Sequence, residues 1–175
     1  MKNIIAISGS LREKSFNTWL LKAAQRLAPE GVAITLYDIF TLPFYNQDLE
    51  ATFPEEAQKF KDALSGSDGI IFATPEYNRS VPGVLKNAID WASRPYGQSA
   101  FKGKKVLVLG TTTGNTGASL AQMHLKQIML TNDAIVLGQP EFYMSDAAHK
   151  FDAEGNLLDE STKEHLRKAL IMLTQ

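Results

Sequence analysis

Gly69-Ile-Ile-Phe-Ala-Thr74 runs straight into Pro75-Glu-Tyr-Asn-Arg-Ser-Val-Pro-Gly-Val-Leu-Lys-Asn-Ala-Ile-Asp-Trp91, and the junction between the two decides the fold. The first segment is short, β-branched and aromatic, with no polar alternation, the pattern of a strand buried on both faces. In the second, Val84, Leu85, Ala88, Ile89 and Ala92 recur at helical spacing behind Pro82, a residue suited to the start of a helix. Pro75 and Pro82 stiffen both ends of the connection, so Glu76 to Ser80 form a shaped wall. A strand feeding a polar loop and then a helix puts that loop at the carboxyl end of a sheet, where open α/β sheets bind ligands.

The same unit recurs on either side. Asn3-Ile-Ile-Ala-Ile7 is an apolar run that ends in Ser8-Gly-Ser-Leu-Arg-Glu-Lys-Ser15. A helix follows with Phe16, Leu20, Ala23, Ala24 and Leu27 on one face and Ser15 as its N-cap. Downstream, Lys104 to Gly110 is a strand that exits into Thr111-Thr-Thr-Gly-Asn-Thr-Gly117 and a further helix. Val32–Tyr37 and Ala134–Leu137 supply two more strands, and Pro54 opens a helix that stops at Ser65-Gly66. The helix after Pro82 is expected to reach about Arg94, with Pro95 as its stop. Gln139 to Asp159 reads as a long polar excursion, and Ser161 with Glu164 as a capping box for the last helix. This order predicts one α/β domain over residues 1–175, a flavodoxin-like, doubly wound five-stranded parallel sheet of order 2-1-3-4-5 with helices on both faces. Strands 1, 3 and 4 are then neighbours, and their exits at Ser8, Thr74 and Thr111 form one crevice.

Composition narrows the chemistry. A formal net charge of −1 gives no electrostatic case for nucleic acid or for an anionic membrane surface. No apolar run approaches the ~18 residues that span a bilayer, and Met1 to Ile7 is too short for a signal-peptide core, so the expectation is a cytoplasmic protein. Cysteine is absent, which removes disulfides, thiol nucleophiles and iron–sulfur clusters; redox chemistry would need a borrowed cofactor. His124, His149 and His165 are scattered with no metal-binding spacing, and no G-x-S-x-G occurs, so neither a catalytic metal nor a hydrolase triad is expected.

The first loop delivers Ser8, Ser10, Arg12, Ser15 and Asn17 to a helix N-terminus, where free N–H groups and the helix dipole favour an anion. Small hydroxyl donors and a cation able to bind two oxygens suit a phosphate. The loop has neither the G-x-G-x-x-G of dinucleotide folds nor a P-loop, and Asp38 accordingly reads as a strand-end turn residue. Leu42-Pro-Phe-Tyr-Asn-Gln-Asp-Leu49 is an aromatic and polar loop placed to lie beside a ligand or a second subunit. Val84, Ala88 and Trp91 widen the apolar face of their helix, as core or as a homodimer contact.

Gly9-Ser-Leu-Arg-Glu-Lys-Ser-Phe-Asn17 and the Pro75–Trp91 run closely resemble the two signatures of NADPH-dependent FMN reductases, a family that includes quinone, chromate and azo reductases. The likeness extends over the whole chain, through Phe151-Asp-Ala-Glu-Gly-Asn-Leu-Leu-Asp159. It implies that Ser8, Ser10, Arg12, Ser15 and Asn17 hold the FMN phosphate and that Pro75, Glu76, Tyr77, Asn78 and Ser80 wrap the isoalloxazine ring. Thr112, Thr113 and Gly114 would touch the far side of the flavin, in a loop that lacks the fuller glycine cluster of many relatives. The resemblance further implies NADPH or NADH as co-substrate, a small-molecule electron acceptor such as a quinone or free flavin, a ping-pong cycle, and a homodimer or homotetramer. No side chain is expected to be a dedicated acid or base, and Glu76 reads more readily as a backbone cap. Two rival readings are a flavodoxin-type electron carrier, which the near-neutral charge disfavours, and a nucleoside- or sugar-phosphate enzyme with Glu76 as nucleophile.

Overall fold

In the computed structural model, which describes residues 1–175, the apolar runs lie side by side as parallel strands. β1 (Lys2–Ser8), β2 (Val32–Tyr37), β3 (Gly69–Thr74) and β4 (Lys105–Thr111) pair in the order β2-β1-β3-β4, with Ile5 opposite Ile70 and Ile70 opposite Val106. The fifth position is split between two short strands. β5 (Ile135–Val136) pairs with β4 at Lys105 and Val106, and β6 (Tyr143–Met144) pairs with it at Gly110 and Thr111. The single strand expected over 134–137 is therefore interrupted and resumed. Pro140 between the two pieces has no N–H to give a ladder.

The helices are α1 (Phe16–Arg26), α2 (Glu55–Ser65), α3 (Gly83–Ala92), α4 (Ser119–Thr131), the short α5 (Ala147–Lys150) and α6 (Glu160–Thr174). They cover both faces, and the period-two alternation of each strand sorts its side chains between two cores. Ile4, Ala6, Ile71 and Leu107 meet Leu20 and Leu21 of α1 and Leu166 and Leu170 of α6. Ile5, Ile7, Phe72 and Val108 meet Phe60 of α2, Leu85 and Ile89 of α3, and Leu125 of α4. Every residue of β3 is buried, which is why its sequence shows no polar alternation.

Three boundaries differ from the sequence reading. α3 stops at Ala92: the Ser93 N–H still donates to Ile89, but the Arg94 N–H turns to the Trp91 carbonyl at 3.1 Å, and Pro95 disfavours helical backbone at Arg94. The Ser161–Glu164 box does not form: Asp159 is the N-cap of α6 and accepts from the Thr162 N–H at 2.7 Å. An anionic cap also suits the helix dipole. The Thr162 hydrogen bonds, hydroxyl first, hold the Asp159 carboxyl below its ordinary range. Its capping is thus present at neutral pH and lost as pH falls through that lowered value. Residues 139–159 are also more ordered than a polar excursion, since they contain β6, α5 and a Phe151–Leu157 bridge.

Candidate cofactor site at the carboxyl rim of the sheet

The exits of β1, β3 and β4 stand beside one another at one rim, as the strand order requires. Gly9 joins the first two. Its N–H donates to the Ala73 carbonyl at 2.8 Å, and a Cβ there would lie 3.1 Å from Leu85 Cδ2 and 3.2 Å from Pro75 Cδ. Ser8 organises the first loop: its Oγ accepts from Thr18 Oγ1 at 2.9 Å and from the Ser10 N–H at 3.3 Å. Ser10 is buried, with its hydroxyl facing the Arg12 N–H at 3.4 Å. Arg12 is exposed and outside every ion pair of the chain.

Ser15 stands at the N-cap of α1, yet its hydroxyl caps nothing; it is 1% exposed and has no hydrogen-bond partner. An unsatisfied buried hydroxyl costs about 1–3 kcal/mol, and at a helix start with open N–H groups it is a donor that a bound anion can satisfy. The uncapped α1, the Ser15 hydroxyl and the free Arg12 together suit a phosphate. Asn17 is different. Its Nδ2 donates to the Thr111 carbonyl and its Oδ1 accepts from the Thr111 N–H, each at 3.1 Å and buried. The carboxamide ties α1 to the end of β4, and only its backbone N–H remains for an anion.

The second loop is a tight turn. Tyr77 and Ser80 exchange backbone hydrogen bonds of 3.1 and 3.0 Å, with Asn78 at φ 51° and Arg79 at φ 63° between them. Two consecutive left-handed residues make a type I′ geometry. Asn tolerates this; for Arg79 it costs roughly 1–2 kcal/mol. Two bolts to α4 hold the strained turn in place. Glu76 Oε2 accepts from the Leu120 N–H at 3.0 Å and the Ala121 N–H at 3.4 Å, capping α4 where its own N-cap, Ala118, has no polar side chain. Ser80 Oγ and His124 Nδ1 share a hydrogen bond at 3.0 Å. Glu76 is thus a backbone cap, its Oε2 engaged by the first turn of α4. The N–H groups of Glu76, Asn78 and Arg79 make no hydrogen bond within the chain, and the Tyr77 ring is about half exposed.

The third loop is built around Thr112. Its hydroxyl donates to the Gly114 carbonyl at 3.1 Å and accepts from the Gly117 N–H at 3.2 Å, while its N–H pairs with Met144. Gly117 lies directly on β6, and buried Gln122 donates to the carbonyls of Gly117 and Phe142, each at 2.8 Å. Behind the loop, burial, then hydrogen bonding to Glu141, pushes the Tyr143 phenol up to about 12, so it stays neutral. Thr113 and Gly114 are exposed at the crest.

The fold therefore brings Ser8, Ser10, Arg12 and Ser15 together with Pro75, Tyr77, Asn78, Ser80, Thr113 and Gly114. It gives the side chains of Ser8, Asn17, Glu76, Ser80 and Thr112 internal partners. Thr18 and His124 join the rim without having been singled out in the sequence. Thr18 lies one helical turn after Ser15, a spacing that hinted at it; no local pattern pointed to His124.

Residues 2–149 match the family described as NADPH-dependent FMN reductase. A 2-hydroxy-1,4-benzoquinone reductase of a Burkholderia species is 44% identical, across 94% of this chain and 90% of that protein. An NADPH:quinone oxidoreductase of Arabidopsis thaliana is likewise 44% identical, across 97% of this chain and 89% of that one. The structure of FerB, a flavoenzyme NAD(P)H:(acceptor) oxidoreductase from Paracoccus denitrificans, matches with a TM-score of 0.91 at 42% identity, covering 99% of this chain and 95% of that chain. Sequence along most of its length and fold along nearly all of it agree: the chain belongs to the NADPH-dependent FMN reductase family.

Proposed function

We propose that this chain is an FMN-dependent NAD(P)H oxidoreductase that passes two electrons to a quinone, a free flavin or a similar small acceptor. The observation that carries the reading is the orphan Ser15 hydroxyl at the uncapped start of α1, one loop away from a braced turn with free N–H groups. The first feature suits a phosphate, the second a planar ring. Ser8, Ser10, Arg12 and Ser15 hold the phosphate together with the α1 backbone, including the Asn17 N–H. Pro75, Tyr77, Asn78 and Ser80 flank the ring, with Thr113 and Gly114 on the far side; Glu76 and Thr112 shape those loops. FMN, when bound, supplies the hydride acceptance and donation that no side chain here offers. The chain's contribution is placement: N–H donors of a stiff turn are fixed in advance where negative charge develops. No side-chain acid or base is assigned. The names of the relatives, quinone reductases among them, support the acceptor class.

Arg12→Ala tests the phosphate placement. Hydrogen bonds to a charged group are worth about 1.5–3 kcal/mol, so FMN affinity should fall roughly 10- to 150-fold in a flavin-fluorescence titration. The melting temperature without flavin should not move, because Arg12 is exposed and unpaired. An unchanged Kd would place the phosphate elsewhere.

We further propose a homodimer or homotetramer with Phe44 in the contact. The Pro43 carbonyl accepts from Trp91 Nε1 at 2.7 Å and from Asn87 Nδ2 at 2.9 Å, and Asn87 Oδ1 accepts from the Tyr45 N–H at 2.7 Å. These bonds clamp both neighbours of Phe44 and leave its ring 88% exposed. A rigidly presented aromatic is the usual anchor of an interface. Trp91 has no such role, since it is fully buried under Tyr45 and Phe53 of its own chain. Phe44→Asp should convert the assembly to monomer in light scattering; a wild-type chain that is already monomeric removes the proposal.

A further inference from the structure

A cavity of about 450 Å3 opens on the β2 side of the first loop, and its wall includes Ser8 and Ser10 together with Thr18, Asp38 and Phe40. Sites for small organic ligands span roughly 300–1,000 Å3, so the space is adequate for one. Two kinds of surface line it. Leu11 and Phe40 are 50% and 69% exposed, apolar groups that the fold leaves unpacked. Asp38 is held by the Phe40 N–H on Oδ1 at 2.9 Å, which leaves Oδ2 as a fixed, free acceptor. Arg12 and Lys14, both exposed and outside every ion pair, stand on the adjoining loop. An aromatic face, an acceptor for hydroxyls and two unpaired cations, all adjoining an anion cradle, match a nucleoside phosphate linked to whatever the cradle holds.

We propose that this cavity seats the adenylate half of FAD, so that the chain takes the dinucleotide flavin on the same cradle as the mononucleotide. The inference rests on the flavin reading given above. The phosphate common to both flavins belongs to the cradle with Arg12, the second phosphate to Lys14, the ribose hydroxyls to Asp38, and the adenine to Phe40 and Leu11. NAD(P)H carries the same adenylate, but its nicotinamide must reach the ring that the flavin reading sets against the 75–80 turn after β3, whereas the cavity is lined from β1 and β2. FAD has no such span to cover, because its linkage starts at the cradle.

The test is a titration of the 175-residue chain with FMN and with FAD, by flavin fluorescence, in wild type, Phe40→Ala and Asp38→Asn. FAD should bind wild type at least as tightly as FMN. Each variant should weaken FAD about ten-fold, Phe40→Ala through lost base stacking and Asp38→Asn through a lost hydrogen bond from a ribose hydroxyl to a carboxylate, and leave FMN within about two-fold. Phe40 is largely exposed, and Asn keeps the acceptor for the Phe40 N–H, so the unchanged FMN affinity also reports an intact fold. An FAD-to-FMN affinity ratio that neither variant changes overturns the proposal. So does a variant that raises the KM for NADPH while leaving that ratio alone, which would assign the cavity to the co-substrate. Failure of FMN itself to bind wild type would instead remove the flavin reading on which the proposal stands.

Discussion

Asn17→Ala should lower the stability of the flavin-free protein by about 2–5 kcal/mol, because each buried backbone group left without a partner costs about 1–3 kcal/mol. The two groups are the N–H and C=O of Thr111, a residue 1% exposed at the end of β4. For a protein of this size that is a fall of roughly 4–20 °C in melting temperature. FMN affinity should fall with it, since the same bonds hold the start of α1 against the third loop. The two effects separate a tie from a ligand. Were the carboxamide a phosphate ligand only, alanine would weaken flavin binding and leave the flavin-free melt unchanged. Asn17→Asp sharpens the point: it keeps the acceptor for the Thr111 N–H but sets a carboxylate against the Thr111 carbonyl in a buried position. Burial and that carbonyl raise the folded-state pKa of the new carboxyl, so the variant loses stability as pH rises above the ordinary Asp range and regains part of it on acidification.

Gly117→Ala should be similarly damaging for a different reason. The residue has φ +56°, and a Cβ there would lie 2.5 Å from Tyr143 C, 2.7 Å from its Cα and 2.8 Å from Met144 N. Those atoms are backbone of β6, which has no flexible end to yield. The left-handed conformation costs roughly 1–2 kcal/mol in a non-glycine residue. Forced repacking adds about 1–3 kcal/mol, for a total of roughly 2–5 kcal/mol. The third loop would lift from β6, weakening the Thr112–Met144 and Gln122–Gly117 bonds. Thermal melts with and without FMN should show both a lower midpoint and a smaller stabilisation by flavin. Gly114→Ala serves as the control: no atom lies within 4 Å of its added Cβ, and its φ is not in the left-handed region. Equal damage at both positions would mean that the clash with β6 is not the cause.

These two residues also show what can be read from a linear chain. Asn17 stands out from its place at a helix start, and the structure adds a second duty, a tie from its carboxamide to the end of β4. Residue type and position along the chain place it at the cradle; that its carboxamide is tied to Thr111, 94 residues away, is visible only in the fold. Glu76 is a different case. Its role as a backbone cap was preferred to a catalytic one, and the structure supplies the helix it caps, α4, which begins more than forty residues later. β6 was missed because two residues provide no periodicity to detect; it exists only because β4 offers unpaired groups at Gly110 and Thr111. His124 looked like one of three scattered histidines, and becomes part of the rim only where α4 passes Ser80.

Local patterns were enough for β1 to β4, most helices, their order and the three loops at one rim. Each of these follows from side-chain periodicity, from turn chemistry, or from the rule that parallel strands need crossover helices. What no local pattern contained is which polar groups of those loops are left over for a ligand. That depends on hydrogen bonds between segments remote in sequence, where one bond satisfied inside the chain withdraws a donor from the site and one left open, as at Ser15, offers it.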